Sequence, residues 1–211
     1  MNIDELVQHI LCATYQKPEE DVTANTIAQA RKDLADWPLY LGANPRATKR
    51  EEVVAILTQA VRRYGLKLIV FDNLHMLARS IEHRNEEIGT LTKAFKLLAM
   101  EMEIPLVLIA QPRKLQPGQV MTAWDLKDSV DIFSDADQII LLHRELVAAS
   151  RDGEAVAAAA TEDTDNMSPK TLVRVAKARH KASRDAVLYF EGAEHRFREL
   201  TEFERTSKVG G

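Results

Sequence analysis

The chain has one cysteine in 211 residues. Cys12 sits among apolar neighbours in a helical pattern and reads as a buried small hydrophobe, so neither a disulfide nor a cysteine-based zinc framework can form within one chain. No run is long and apolar enough to span a membrane. The opening MNIDELVQHIL is amphipathic and acidic where an export signal needs basic residues and then an apolar core, so a cytoplasmic location is expected. An excess of positive charge is also missing: a net charge of -4 and a pI near 5.9 argue against wholesale coating of nucleic acid, although local basic loops remain open. Internal repeats are absent. The six histidines, His75 and His143 among them, show no metal-ligand spacing and read as structural or surface residues. Glycine is sparse: the eight fall at 42, 65, 89, 118, 153, 192, 210 and 211, and none is followed by lysine. The chain therefore holds no Gly-x-x-x-x-Gly-Lys-[Ser/Thr] loop to cradle phosphates.

What is present has the balance of a soluble globular protein, 45% hydrophobic and 28% charged, with enough length for one sizeable α/β domain. The organising stretch is LKLIVFDNLHML, Leu66 to Leu77. Leu68 to Phe71 form an unbroken apolar run with β-branched members, as in a strand covered on both faces of a parallel sheet. The run ends on Asp72, at the carboxyl end of the strand, where open α/β sheets hold their ligands. Four hydrophobes and an acid form the Walker B pattern, whose carboxylate holds Mg²⁺ in nucleoside triphosphatases. Taken alone, the same residue also suits a turn or a helix cap.

Around this stretch the periodicity predicts an amphipathic helix over residues 3 to 15 and a second, capped by Asp21 or Thr23, running to about Ala35. Leu39 to Leu41 read as a short strand. Thr48 and Glu51 have the spacing of a capping box for a helix that Gly65 closes. A strong helix follows from about Asn85 to Met102, then an apolar strand from Ile104 to Ala110 ending on Gln111, which makes a strand-helix-strand crossover. A polar loop leads to a helix from Trp124 and a strand over Gln138 to Leu142. Residues 145 to 170, Ala-rich and then acidic, read as an exposed, partly disordered insertion. Thr171 to Ala176 and Ala186 to Phe190 form a hairpin, with a short last strand at His195 to Phe197.

The polar residues at strand ends are few: Asp72, Gln111, and the pair Lys177 and Arg179 with Arg174, His180, Lys181 and Arg184 nearby. Each has a bland reading, Gln111 as a loop hydrogen-bonder and the basic run as a solvated hairpin tip. Their order carries more. IVFDNLHML, RNEEIGTLTKAFKLLAMEMEIPLVLIAQPRK, AWDLKDSVDIFSDADQIILLHR and LVRVAKARHKASRDAVLYFEGAEHRF follow one another in a way that resembles the DnaB-like hexameric replicative helicases, most nearly the Twinkle and phage primase-helicase branch. PLYLGAN fits the same course. The resemblance covers nearly the whole chain.

This likeness implies a partial RecA-like α/β domain, with a mostly parallel central sheet flanked by helices and a C-terminal β-hairpin, as one truncated motor domain over residues 1–211. It further implies that Asp72 holds Mg²⁺ on the phosphates of ATP and that Gln111 senses the γ-phosphate. Lys177 and Arg179 would act as a Lys-x-Arg finger toward the neighbouring subunit of a homo-oligomeric ring, typically a hexamer. Lys127, Asp128 and Ser129 would face single-stranded DNA in the channel, with Arg113 and Lys114 adding to it. The chain departs from the family in lacking the phosphate loop, in carrying Val130 where many members have glycine, and in the alanine tract at 155 to 160. Met1 falls just after the position where the family places that loop. The leading expectation is thus the C-terminal portion of an ATP-dependent DNA helicase motor that does not hydrolyse ATP unaided. The alternative is a non-catalytic RecA-like pseudo-ATPase serving as a binding or assembly module.

If Lys127 holds a phosphate of the strand, Lys127→Ala weakens single-strand binding equally across sequences and lowers the slope of log K against log salt by about 1. Titration of several oligonucleotides at two or more salt concentrations measures both; a sequence-selective loss contradicts the assignment.

Overall fold

A computed structural model describes residues 3–42, 49–78, 83–113, 115, 119–126, 129–146, 150–151, 154–155, 167–179 and 184–206. They fall into two compact units. One is built from Met1–Asn44, Arg144–Val173 and Ala186–Gly211, the other from Pro45–His143 and Arg174–Asp185.

The second unit holds the organising stretch. Helix α3 (Arg50–Tyr64) ends on Gly65 in the left-handed conformation (φ 62), where a residue without Cβ is unstrained. Strand β1 (Ile69–Asp72) lies parallel to β2 (Leu106–Ile109), in register from Ile69 opposite Leu106 to Asp72 opposite Ile109, and α4 (Arg84–Met102) connects them. The core beneath this pair gathers Val53, Leu74, Ile88, Leu91, Phe95 and Leu98, with Phe71, Leu106 and Leu108 packed onto it. The sequence predicts strands covered on both faces. Instead, Val70, Val107 and Ile109 on the opposite face are 58%, 47% and 41% exposed, because the described helices of this unit cover one side only.

Helix α5 (Ser129–Asp135) packs on α4 at Gly89, where an added Cβ would require the Asp131 carboxylate to shift. Thr92 Oγ1 donates to Asp135 Oδ2 at 2.7 Å, and Lys96 pairs with Asp137, tying the end of α5 to the same helix.

In the first unit α1 (Ile3–Tyr15) buries Leu11 and Cys12 and α2 (Ala24–Asp33) buries Ala30, with Cys12 fully buried as expected. Thr23 caps α2 through a capping box with Thr26. A four-stranded sheet to which both units contribute residues has the order β3-β6-β7-β8, with β3 at Gln138–Leu146, β6 at Met167–Ala178, β7 at Ala186–Glu191 and β8 at Arg196–Glu199, and with β6, β7 and β8 pairing antiparallel. A short antiparallel pair, β4 (Ser150–Arg151) with β5 (Glu154–Ala155), lies between β3 and β6 in the chain. Helix α6 (Glu202–Thr206) is anchored by Glu204, which accepts from Arg198 at 2.7 and 2.8 Å while Arg198 also reaches Glu191. These partners hold the Glu204 carboxyl down at about 2, the Arg198 guanidinium first among them.

The α/β class, the helical pattern and the C-terminal hairpin agree with the sequence. Two local expectations do not, and two others fall wholly or partly on residues outside those described. Leu39 to Leu41 are exposed and belong to no strand, since no described strand pairs with them. Thr48 lies outside the described residues, and α3 opens after Lys49, which makes no side-chain cap. In place of a helix from Trp124 there is a 3₁₀ turn at Ala123–Asp125 followed by α5. The insertion expected at 145–170 is bounded more tightly by β3 and β6, which reach Leu146 and begin at Met167; most of the remainder lies outside the described residues.

Phe95 is 1% exposed and packs against the Phe71 ring with centroids 5.2 Å apart. Phe95→Ala is expected to lower stability by about 3–5 kcal/mol, seen as a reduced urea midpoint with little change in slope.

Candidate functional site

Asp72 is the last residue of β1, and Gln111 stands two residues beyond the end of β2, so both project from the carboxyl edge of one parallel pair. The capping role open to Asp72 in the sequence belongs to its neighbour. Asn73 accepts from the Met76 amide at 3.1 Å and caps the 3₁₀ turn Leu74–Met76. Asp72 is exposed, and among the described residues its carboxylate enters no hydrogen bond or ion pair. A free carboxylate at a strand end suits Mg²⁺, which takes one or two such ligands from protein and the rest from water and phosphate oxygens. The residues present therefore fit that ion, with Asp72 as the ligand they offer.

The two strand ends are joined by His75, a residue whose spacing marks it only as structural. It is 6% exposed, and its Nδ1 accepts the Gln111 amide at 3.3 Å, which puts the ring proton on Nε2. The two residues are 36 positions apart, so no local pattern signals this bond.

Beyond Gln111 the loop is closed at its base by Asp125, a residue sequence reasoning missed. Arg113 donates to Oδ1 from Nε at 2.9 Å and from Nη2 at 2.6 Å, and Gln119 adds a bond at 3.3 Å. Oδ2 accepts from the Thr122 amide at 2.8 Å and its hydroxyl at 2.7 Å. The backbone closes alongside, with Arg113 N donating to Asp125 O at 2.7 Å and a bridge between Pro112 and Leu126. The Asp125 side chain is only 2% exposed. Its hydrogen bonds from Thr122 and Arg113 hold the carboxyl at about 2. The Thr-x-x-Asp spacing of Thr122 and Asp125 is the one sequence signal that could have exposed it.

Lys177 and Arg179 converge on the carboxyl end of α5. Lys177 Nζ donates to the Phe133 carbonyl and, at 3.3 Å, to that of Ser134; it also lies 4.8 Å from the Phe133 ring centroid. Arg179 donates to Ser134 O at 3.1 Å and to Asp137 Oδ1 at 3.0 Å. Cations here meet the unsatisfied carbonyls of a helix end. Asp137 is held below the usual carboxylate range, chiefly by its hydrogen bond from Lys96, with Arg179 and Lys177 adding attraction. The Trp124 ring also stacks on Phe133, with centroids 5.3 Å apart. Asp125, Trp124, Phe133 and Lys177 thus form one run of contacts from the loop after Gln111 to the basic pair.

Of the residues expected to face DNA, Lys127, Asp128 and Lys114 lie outside the described residues. Ser129 opens α5 at the end opposite Lys177 and Arg179, and Val130 beside it is 70% exposed. Arg113 is 60% exposed along its side chain but commits its guanidinium to Asp125. The structure therefore groups Asp72, His75 and Gln111 at one edge and Lys177, Arg179 and Asp137 at the end of α5.

Comparison with known proteins follows the same course. The family described as DnaB-like helicase C terminal domain matches residues 1–199. The replicative DNA helicase DnaB of Leifsonia xyli subsp. xyli is 29% identical over 180 residues, covering 83% of this chain and 36% of that protein. That of Mycobacterium leprae is 32% identical over 124 residues, covering 56% and 20%. The chain thus spans only about a fifth to a third of the length of these relatives. Among solved structures, an ATPase domain superposes with a TM-score of 0.72 at 16% identity, covering 95% of this chain and 72% of that one. A DnaB-like replicative helicase, solved in a study of its interactions with primase, gives 0.71 at 16%, covering 95% and 49%. At that identity the two structures establish the RecA-like fold alone.

Asp125→Asn removes the charge that Arg113 and Thr122 surround and is expected to cost about 1–3 kcal/mol. The Asp125 carboxyl is depressed in the folded chain, so its contribution is complete above the ordinary carboxylate value and disappears as pH falls from about 4 to about 2. Unfolding measured across that range is therefore expected to show a shallower acid limb in the variant than in the wild type.

Proposed function

The chain belongs to the family of DnaB-like helicase C-terminal domains, and from that premise we propose that it serves as the carboxyl-terminal part of an ATP-driven replicative helicase motor, working as a ring, in the family a hexamer, on single-stranded DNA. The reading rests on one observation above the others. Asp72 stands unpartnered among the described residues at the end of a parallel strand, with Gln111 at the end of the next, and His75 ties the two ends together. In the proposed motor Asp72 ligates the Mg²⁺ of ATP, and bound Mg²⁺ neutralises charge on the transferring phosphates. Gln111 meets the γ-phosphate. A shift there is carried into the loop because the Gln111 amide is bonded to His75 and Arg113 is bonded to Asp125. Ser129, with Lys127 and Asp128 beside it and Arg113 and Lys114 in support, contacts the DNA backbone, so binding is indifferent to base sequence.

Lys177 and Arg179 act on the nucleotide of a neighbouring subunit. In the isolated chain they are held by Asp137 and the α5 carbonyls. Reaching a phosphate therefore means exchanging Asp137 for a more highly charged anion, a trade an arginine makes readily because its planar fork matches both. These 211 residues encode no phosphate loop, so the motor reading requires phosphate donors that they do not supply.

That same absence supports a second reading, a non-catalytic RecA-like assembly module whose basic pair reaches a partner's site. The two are separated in a ring that contains this chain together with a phosphate loop. On the motor reading Arg179→Ala lowers DNA-stimulated ATP hydrolysis by about 10³-fold or more while nucleotide binding stays nearly intact. Unchanged turnover in that variant rejects the finger. Unchanged turnover in Asp72→Asn, measured under the same conditions, rejects the motor reading and leaves the assembly module.

A further inference from the structure

In the unit that carries both chain ends, three side chains distant in sequence meet on one oxygen. His9 of α1 and His195, which precedes β8, place their Nε2 atoms 3.3 and 3.0 Å from Glu19 Oε1. The imidazoles stack with centroids 3.7 Å apart and planes inclined by 19°, so both nitrogens present side by side to the carboxylate. Gln8 Nε2 donates to the other oxygen, Glu19 Oε2, at 3.3 Å and orients the group. His195 is set by a left-handed backbone (φ 50) and by its amide bond to Gly192 O at 3.2 Å. All three donor atoms lie within 4.8 Å of one another, a grouping found nowhere else among the described residues.

We propose that His9, Glu19 and His195 form a binding site for a divalent transition-metal ion of the zinc class. Two imidazole nitrogens and one carboxylate oxygen are a donor set that Zn²⁺ takes, with water in the fourth position. The lone pairs of near-parallel rings do not converge on one point, so binding requires one imidazole to turn out of the stack, which its partial exposure permits; the separations then suit the ion. Ligands about 2.0–2.1 Å from a tetrahedral ion stand roughly 3.3 Å from one another, close to the two distances found here. Without an ion, Glu19 Oε1 can accept an N–H from each ring. An ion between the three groups uses the lone pairs of both rings and the carboxylate charge together. The side chains are 28–46% exposed, which leaves a path for the ion and room for water. The bound ion would clip α1 and the Glu19–Asp21 turn to the entry of β8, closing a chain separation of 176 residues. Histidine spacing alone conceals the site, because no two of its ligands fall within one helix turn or one hairpin.

The test is calorimetric titration of the intact chain, stripped with chelator, with Zn²⁺ alone. Binding of one ion per chain and a melting temperature that climbs with Zn²⁺ concentration are expected. Glu19→Gln and His195→Ala are expected to weaken affinity at least about tenfold, while His143→Ala leaves it unchanged. Co²⁺ added to the wild-type chain should give the intense visible bands of a four-coordinate site, a readout independent of whether any variant folds. The proposal is overturned if the wild-type chain binds no stoichiometric Zn²⁺, if Co²⁺ keeps the weak spectrum of its hydrated ion, or if folded Glu19→Gln and His195→Ala bind as tightly as wild type.

Discussion

A carboxylate withdrawn from water has to be met by donors on both oxygens, and at Asp125 this demand organises a whole loop. Arg113 and Gln119 come to one oxygen and Thr122 to the other, with the backbone of Arg113 and Asp125 closing beside them. Because Arg113 follows Gln111 by two residues, the position of the end of β2 is coupled to this buried charge. Because Trp124 precedes Asp125, the same closure sets the indole against Phe133 on α5. Loss of the charge would leave the Arg113 guanidinium and the two Thr122 donors without their acceptor, a cost that falls on every contact downstream.

The second constraint is steric. Helix α5 lies close against α4 at Gly89, with the Asp131 carboxylate occupying the space a Cβ would take, and the approach brings Asp135 to Thr92 and Asp137 to Lys96. The carbonyls at the end of α5 and the Asp137 carboxylate then make a receptor for two cations, which Lys177 and Arg179 occupy. On the proposed reading this is a resting arrangement: the pair that would act on a neighbour's phosphate is held by weaker anions of its own chain until a stronger one is offered. Ser129 begins the same short helix whose other end Lys177 and Arg179 contact, so α5 links the expected DNA contact to the basic pair.

Much of this is legible from local pattern. The apolar run to Asp72, the periodic helix from residue 84 to 102 and the second apolar strand each declare themselves within a dozen or so residues, and the structure places them as a parallel pair around one helix. Gly65 and Thr23 act as the helix terminators their chemistry suggests. The local errors share a cause. Leu39 to Leu41 have strand composition but no described partner strand, and an extended segment without a ladder is not a strand. The helix expected from Trp124 gives way to a 3₁₀ turn because Asp125 is drawn back to cap Thr122. The apolar strands read as covered on both faces, yet only one face meets described helices, since coverage depends on neighbours rather than on the strand.

The amino-acid sequence by itself determined the elements, the class and the family, because periodicity, caps and strand-end acids act over a few residues and leave their mark in order and spacing. It also named Asp72, Gln111, Lys177 and Arg179 as candidates. Tertiary structure alone decided what each of them touches: that Asn73, not Asp72, does the capping; that His75 meets Gln111; that Arg113 serves Asp125; that Arg179 rests on Asp137; and that His9 and His195 share Glu19. These contacts join residues from different elements. Their geometry is set by helix packing and sheet register, and neither is written in the spacing of any single stretch.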